Sequence, residues 1–283
     1  MNSKKEEFFF KVLMIISLMI ISGTLLYIIG LIFYKGMPLM TLEMLTSEPS
    51  GGFYFGKEGG ILNAIVGTIY LAVGSVILAL IIGLPVALFI NVYISKYRRI
   101  TESIRFILDL LWGIPSIVYG AFGFLFMASY GLRASLLAGI FIVAAFILPI
   151  IIRSMDEVFK LVPKGLLEAS FSLGANKRKT AFSVYVKQSF PGLITAVLLS
   201  FGRAAGDAAA VLFTVGFTDS VPTSLTSPAA TLPLSVFFQL SSPIPEVKER
   251  AYASALVLTF IVLIISLSAR WFSKKYINRQ IKF

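Results

Sequence analysis

Residues 161–191 read LVPKGLLEASFSLGANKRKTAFSVYVKQSFP, and residues 192–216 continue GLITAVLLSFGRAAGDAAAVLFTVG. A basic, water-facing segment is thus set against an apolar run that carries Arg203 and Asp207. In the first half, Val162, Leu166, Leu167, Ser170, Phe171 and Leu173 recur at three- and four-residue spacing, which on a helix makes one apolar stripe. Pro163 suits a first helical turn, where no backbone donor is lost. Gly174 falls where that helix stops, because glycine takes the left-handed cap conformation without a Cβ penalty. Asn176 can then cap a second helix opening at Lys177. The spacing therefore predicts helix, tight glycine turn, helix. Such an apolar stripe either lies on a membrane interface or docks into a groove on a partner protein.

Glu168-Ala169-Ser170, then Gly174, Val184, Val186 and Pro191-Gly192 resemble the EAA loop of ABC importer permeases. In that family the loop forms the coupling helix that sits in a cleft of the cytoplasmic ATPase. The resemblance thus assigns Glu168, Ala169 and Gly174 to ATPase coupling. Ser170 departs from the family's alanine, and Lys187 stands where proline is usual. Similarity to the wider permease fold covers residues 60–271.

The composition agrees with a membrane protein. The 283 residues are 57% hydrophobic and their mean hydropathy is +0.89, too apolar for a soluble domain. The chain has no cysteine and no histidine. That excludes a disulfide framework and a thiol nucleophile, and it removes the commonest general base and metal ligand. No metal or catalytic residues are expected.

Six runs are long enough to cross a hydrocarbon core of about 30 Å: 12–34, 63–94, 104–127, 135–152, 192–216 and 252–272. The first follows Lys4, Lys5 and Lys11, but its apolar core continues past the length of a signal peptide and reads as an anchor. Lysines and arginines crowd one set of ends: the N-terminus, 96–105, 153–187 and 270–282. The opposite ends carry only Lys35, Lys57, Arg133, Lys248 and Arg250. The positive-inside rule then puts both termini and the EAA-like loop in the cytoplasm. The net charge of +11 is mostly this asymmetry, with attraction to anionic lipid, and no nucleic-acid partner is expected. The domain plan is an anchor helix and external loop at 1–59, a permease domain at 60–272 with its coupling loop at 153–190, and a basic cytoplasmic tail at 273–283.

The first external loop contains SGGFYFGKEGG at 50–60. Gly51 to Lys57 imitates the start of a phosphate-binding loop, but Glu58 replaces the hydroxyl residue that would hold magnesium. It is rejected as chance, so any ATPase is a separate polypeptide. The second external loop is proline-rich and holds LPLSVFFQL at 232–240, read as a short helix, a re-entrant piece or a structured cap. In the third run, WGIPSIVYGAFGF at 112–124 places Pro115 with Gly113, Gly120 and Gly123 in one expected helix. Those breakers either line a path or mark tight packing. The segment is similar to the VPSIVYG-type stretch of phosphate importer permeases.

Gly202 and Gly206 form a GxxxG step among alanines, which permits close helix contact. Arg203 and Asp207, four apart, share a face and can pair. A lone charge at mid-bilayer costs about 2.5–3.5 kcal/mol on insertion scales. The pair is therefore either a self-neutralising structural contact or a substrate-pathway site, an Arg fork for an oxyanion held by a carboxylate. GRAAGDAAAVLFT resembles the GRALGETAPLLFT-type segment of the phosphate importer's permeases, with Asp207 in place of glutamate. VFFQLSSP and ERAYASALVL are similar to the A-type (PstA-type) permeases.

The resemblance implies an all-α, polytopic membrane protein of six transmembrane helices, with the type I (MetI-like) importer permease fold. It implies a phosphate-transporting, non-enzymatic subunit in the plasma (inner) membrane of a prokaryote. Its partners would be a PstC-like sister permease, a PstB-like ATP-binding dimer carrying ATP and magnesium, and a PstS-like external phosphate-binding protein. The chain itself would need no cofactor. The C-type sister, a molybdate or sulfate permease and, in another class, a secondary anion transporter are the alternatives. The last should show inverted repeats, and none is visible.

Overall fold

The computed structural model describes residues 3–50 and 58–277. The phosphate-loop look-alike at 51–57 and the last tail residues, 278–283, lie outside the described residues. The chain opens with α1 (Ser3–Gly36), a single tight turn (Met37–Leu39) and α2 (Leu42–Thr46). A two-residue antiparallel pair follows, β1 (Pro49–Ser50) against β2 (Glu58–Gly59), with Pro49 opposite Gly59. Next come α3 (Leu62–Leu88), widened at its end over Phe89–Tyr93, then α4 (Arg98–Trp112), α5 (Ser116–Ser129) and α6 (Leu136–Lys160). Beyond them lie α7 (Lys164–Ser172), α8 (Lys177–Thr180), a second widened segment (Ala181–Val186), α9 (Lys187–Ala205), α10 (Leu232–Leu240) and α11 (Pro245–Ile277).

The core is the pairing of α3 with α6. Ala72, Ser75, Ala79, Gly83 and Ala87 put small side chains on one face of α3 at three- and four-residue steps. That face lets Val143, Ile147, Ile151 and Met155 of α6 approach until they are fully buried. In lipid, where tails are as apolar as leucine, close packing of this kind and interhelical hydrogen bonds are what hold helices together. The Ser75 hydroxyl adds one, donating to the Ile140 carbonyl at 3.2 Å.

Among the described residues, five helical runs are long and apolar enough to cross a membrane, and α4 with α5 makes a sixth bent by 86°. Contacts along α6 show that the bent pair is one crossing. Arg105 meets Asp156 and Arg153 meets Asp109, Tyr119 meets Phe146, and Gly123 sits against Ile142. As the number rises on α4–α5 it falls on α6, so the pair runs antiparallel to α6 from one end to the other. The expected single helix at 104–127 is thus corrected to two. Pro115 has no N–H and disfavours helical geometry at Ile114, so the helix stops at Trp112 and restarts at Ser116.

The fifth span, expected at 192–216, also ends earlier than expected. Instead of a helix to residue 216, α9 ends at Ala205 and residues 207–215 run in turns. Asp207 Oδ1 accepts a hydrogen bond from the Ala210 N–H at 2.8 Å, the local side-chain bond that competes with helix continuation. In the other direction α9 is longer than expected, continuous with α8 from Lys177 through Pro191. Lys187 keeps its N–H and lies inside that run.

At the basic end of the bundle lie Arg98, Lys160 and the α7–α8 turn. The far end is tied by loops: Ser135 and Leu136 donate to the Thr214 and Ser227 carbonyls, and Asn63 Nδ2 donates to the Thr218 carbonyl at 2.7 Å. Burial pushes the nearby Asp219 carboxyl above the usual carboxylate range. LPLSVFFQL is a short helix, α10, packed on α11, with Thr68 Oγ1 accepting from the Leu232 N–H at 2.8 Å.

Candidate functional site

Arg203 lies in the last turn of α9, where a cation complements the helix dipole. Its guanidinium carbon is 4.9 Å from the centre of the Phe146 ring. Phe146 is about ten residues from the start of α6 at Leu136, roughly 15 Å at the helical rise, so Arg203 sits at mid-span depth. Tyr119, in the first turn of α5 after the break, meets the Phe146 ring. The structure brings Arg203 and Asp207 together loosely: Nη2 and Oδ2 are 3.8 Å apart, with the Arg203 side chain 54% exposed and that of Asp207 5%. Asp207 is chiefly occupied in capping the turn at Ala210, and Arg203 keeps donors free.

Among the described residues, nothing packs against the GxxxG step. A Cβ on Gly202 would meet nothing within 4 Å, and on Gly206 only the Gly202 carbonyl. The close approach comes from α5 instead, where a Cβ on Gly120 would stand 2.8 Å from the carbonyl oxygens of Ala209 and Ala210. The face of α9 bearing Gly202, Arg203 and Gly206 is open.

The second group of expected residues is at the basic end. Glu168 and Ala169 lie on α7, and Gly174 makes the turn after it with φ +76°. Asn176 caps α8 by accepting from the Lys179 N–H at 2.8 Å. Ser170, the departure from the motif alanine, has a use here, its hydroxyl 3.0 Å from that of Thr180 across the turn. Glu168, Ala169 and Phe171 are exposed, so α7 offers a free surface.

Sequence reasoning missed the joint that ties this turn to the bundle. Asp156 is fully buried and accepts from Arg105 Nε and Nη2 at 2.8 and 2.9 Å, from Arg153 Nη1 at 2.7 Å and from Asn91 Nδ2 at 2.8 Å. Arg153 reaches on to Asp109 at 2.6 Å, and Lys160 stands 3.4 Å from Asp156. Tyr185 donates to the Asn91 carbonyl at 3.2 Å, and Lys177 lies 5.5 Å above the Tyr93 ring. The two widened segments, 89–93 and 181–186, therefore meet at Asn91. Widened turns of this kind often mark functional sites. The visible signal was Arg153 and Asp156, three apart at the end of an apolar run.

Residues 79–282 match the family described as binding-protein-dependent transport system inner membrane component. The chain belongs to that family. Among its relatives is a phosphate transport system permease protein PstA of Pasteurella multocida, 32% identical over 88% of this chain and 87% of the relative. Another, from Yersinia pestis, is 35% identical over 85% and 80%. A probable ABC transporter permease protein YqgI of Bacillus subtilis is 28% identical over 89% and 90%. Among solved structures, the MetNI methionine ABC transporter in an inward-facing conformation superposes with a TM-score of 0.63. It is 19% identical and covers 76% of this chain and 95% of its own, which establishes the type I permease fold. As a member of this inner membrane component family, the chain is a permease subunit.

Proposed function

We propose that this permease moves inorganic phosphate into the cytoplasm, driven by ATP hydrolysed on a separate subunit. The observation that carries the substrate is the similarity to PstA proteins along most of both chains. Arg203, with donors left open at mid-span depth, gives the anion a cation to pass. Asp207 keeps that cation from holding the anion permanently. The exposed face of α7 docks on an ATP-binding dimer, which holds the nucleotide and its magnesium. The open face of α9 turns toward a sister permease, and the far end receives an external phosphate-binding protein. Both termini and the α7–α8 turn are cytoplasmic, a placement that the positive-inside rule supports.

The test is reconstitution. The chain is co-expressed with a sister permease and an ATPase of the same source, purified, and placed in vesicles with the binding protein. ATP-dependent uptake of radiolabelled phosphate, competed by sulfate, molybdate and arsenate, is expected to respond to arsenate alone. Uptake of sulfate or molybdate in place of phosphate would overturn the substrate.

A further inference from the structure

Arg203 is poorly held by its acid. Asp207 Oδ2 is 3.8 Å away, and Oδ1 is committed to the Ala210 N–H. The other support is the face of Phe146, 4.9 Å from the guanidinium carbon. A guanidinium resting on an aromatic face keeps its in-plane donors available for an oxyanion, which a close bidentate carboxylate would occupy.

Phe146 is itself fixed. It is 3% exposed, and the Tyr119 ring meets it edge to face at 5.7 Å and 63°. Tyr119 is fixed in turn, its hydroxyl donating to the Leu111 carbonyl at 3.0 Å. Leu111 lies in the last turn of α4 and Tyr119 in the first turn of α5. The hydroxyl therefore straps the 86° bend and satisfies a carbonyl at a helix end. A row of contacts runs from the bend through Tyr119 and Phe146 to Arg203.

We propose that Phe146 is a positioning residue for transport, a π platform that holds Arg203 with its donors free, and that Tyr119 aligns the platform with the broken span. This rests on the reading of Arg203 as the pathway cation. It adds that the cation is presented by a ring and that the bend of α4–α5 sets where the ring stands.

The experiment replaces Phe146 in the assembled complex with mono-, di- and trifluorinated phenylalanine. Ring size barely changes while the negative charge on its face is withdrawn stepwise. Phosphate moved per ATP hydrolysed is measured in vesicles, with complex yield as the control. A stepwise fall is expected, reaching about fivefold for the trifluorinated ring, the loss that follows removal of an ordinary cation–π contact. Phe146→Leu should lose at least as much, and Phe146→Tyr, which keeps the π face, should stay within about twofold. A flat fluorine series in an active, fully assembled complex would overturn the proposal, since a ring needed only for packing does not respond to its electron density. A wild-type complex that moves another oxyanion would overturn the phosphate assignment alone, and the series is then judged on that oxyanion by the same criterion.

Discussion

Arg203 and Asp207 were legible as charges because they interrupt an apolar run. What their charges do to one another was not, because spacing fixes a shared face and not a distance. Arg203→Gln strands a buried carboxylate and Asp207→Asn strands a cation, so each single change combines loss of function with an unpaired charge. The double change Arg203→Gln with Asp207→Asn removes both. It is expected to assemble with its partners and to show no phosphate uptake, whereas recovered uptake would reduce the pair to a structural contact. The cap on Ala210 gives a separate expectation. Asparagine at 207 can still accept from that N–H, and alanine cannot. Asp207→Ala should therefore lie about 1 kcal/mol below Asp207→Asn in thermal unfolding of the detergent-solubilised complex. Equal stability would mean that the cap contributes nothing. Asp156 escaped notice because its neighbours, Arg105, Arg153 and Lys160, look like the ordinary basic flank of a span. Only the fold shows three cations and an amide converging on one buried carboxylate.

Helices and turns whose ends are marked by backbone chemistry could be read directly. Gly174 does adopt the left-handed conformation at the end of α7, and Asn176 does cap α8. Gly174→Val should leave the protein inserted but distort the turn, at about 1–2 kcal/mol for the left-handed geometry. Loss of ATP-driven uptake with unchanged membrane abundance is the expected result, and normal uptake would remove the coupling role. Elements broken by tertiary circumstance could not be read in this way. The run at 104–127 has the hydropathy of one span, yet Pro115 divides it and Tyr119 holds the two parts at their angle. Gly202 and Gly206 have the spacing of a contact face, but spacing cannot say what approaches, and among the described residues nothing does. The joint at Asn91 and Asp156 fastens α3, α4 and α6 together beside the coupling turn. Asp156→Asn keeps an acceptor but removes the charge facing Arg105, Arg153 and Lys160. A loss of about 2–3 kcal/mol is expected in the same unfolding assay, at the low end for a buried pair because Arg105 is partly solvated. No loss would show the network to be a surface cluster.

For the whole molecule, α1 and α11 lie antiparallel, with Phe33 against Phe260 at 5.3 Å and Gly36 close to the Tyr252 carbonyl. The start of α1 and the end of α11 are therefore on one side. Tags at residue 2 and after Phe283 should both be reached only from the cytoplasm, and a tag near Gly51 only from outside. Labelling of the C-terminal tag in intact cells would overturn the orientation. The same pairing has a consequence for how the protein is made. Lys35 and Tyr252, which touch at 3.4 Å, are 217 residues apart, and at about 5–20 residues per second a ribosome takes roughly 11–43 s to bridge them. In that interval α1 must therefore wait in lipid for α11, the helix it packs against. An α1 that is apolar around almost its whole circumference is suited to that wait.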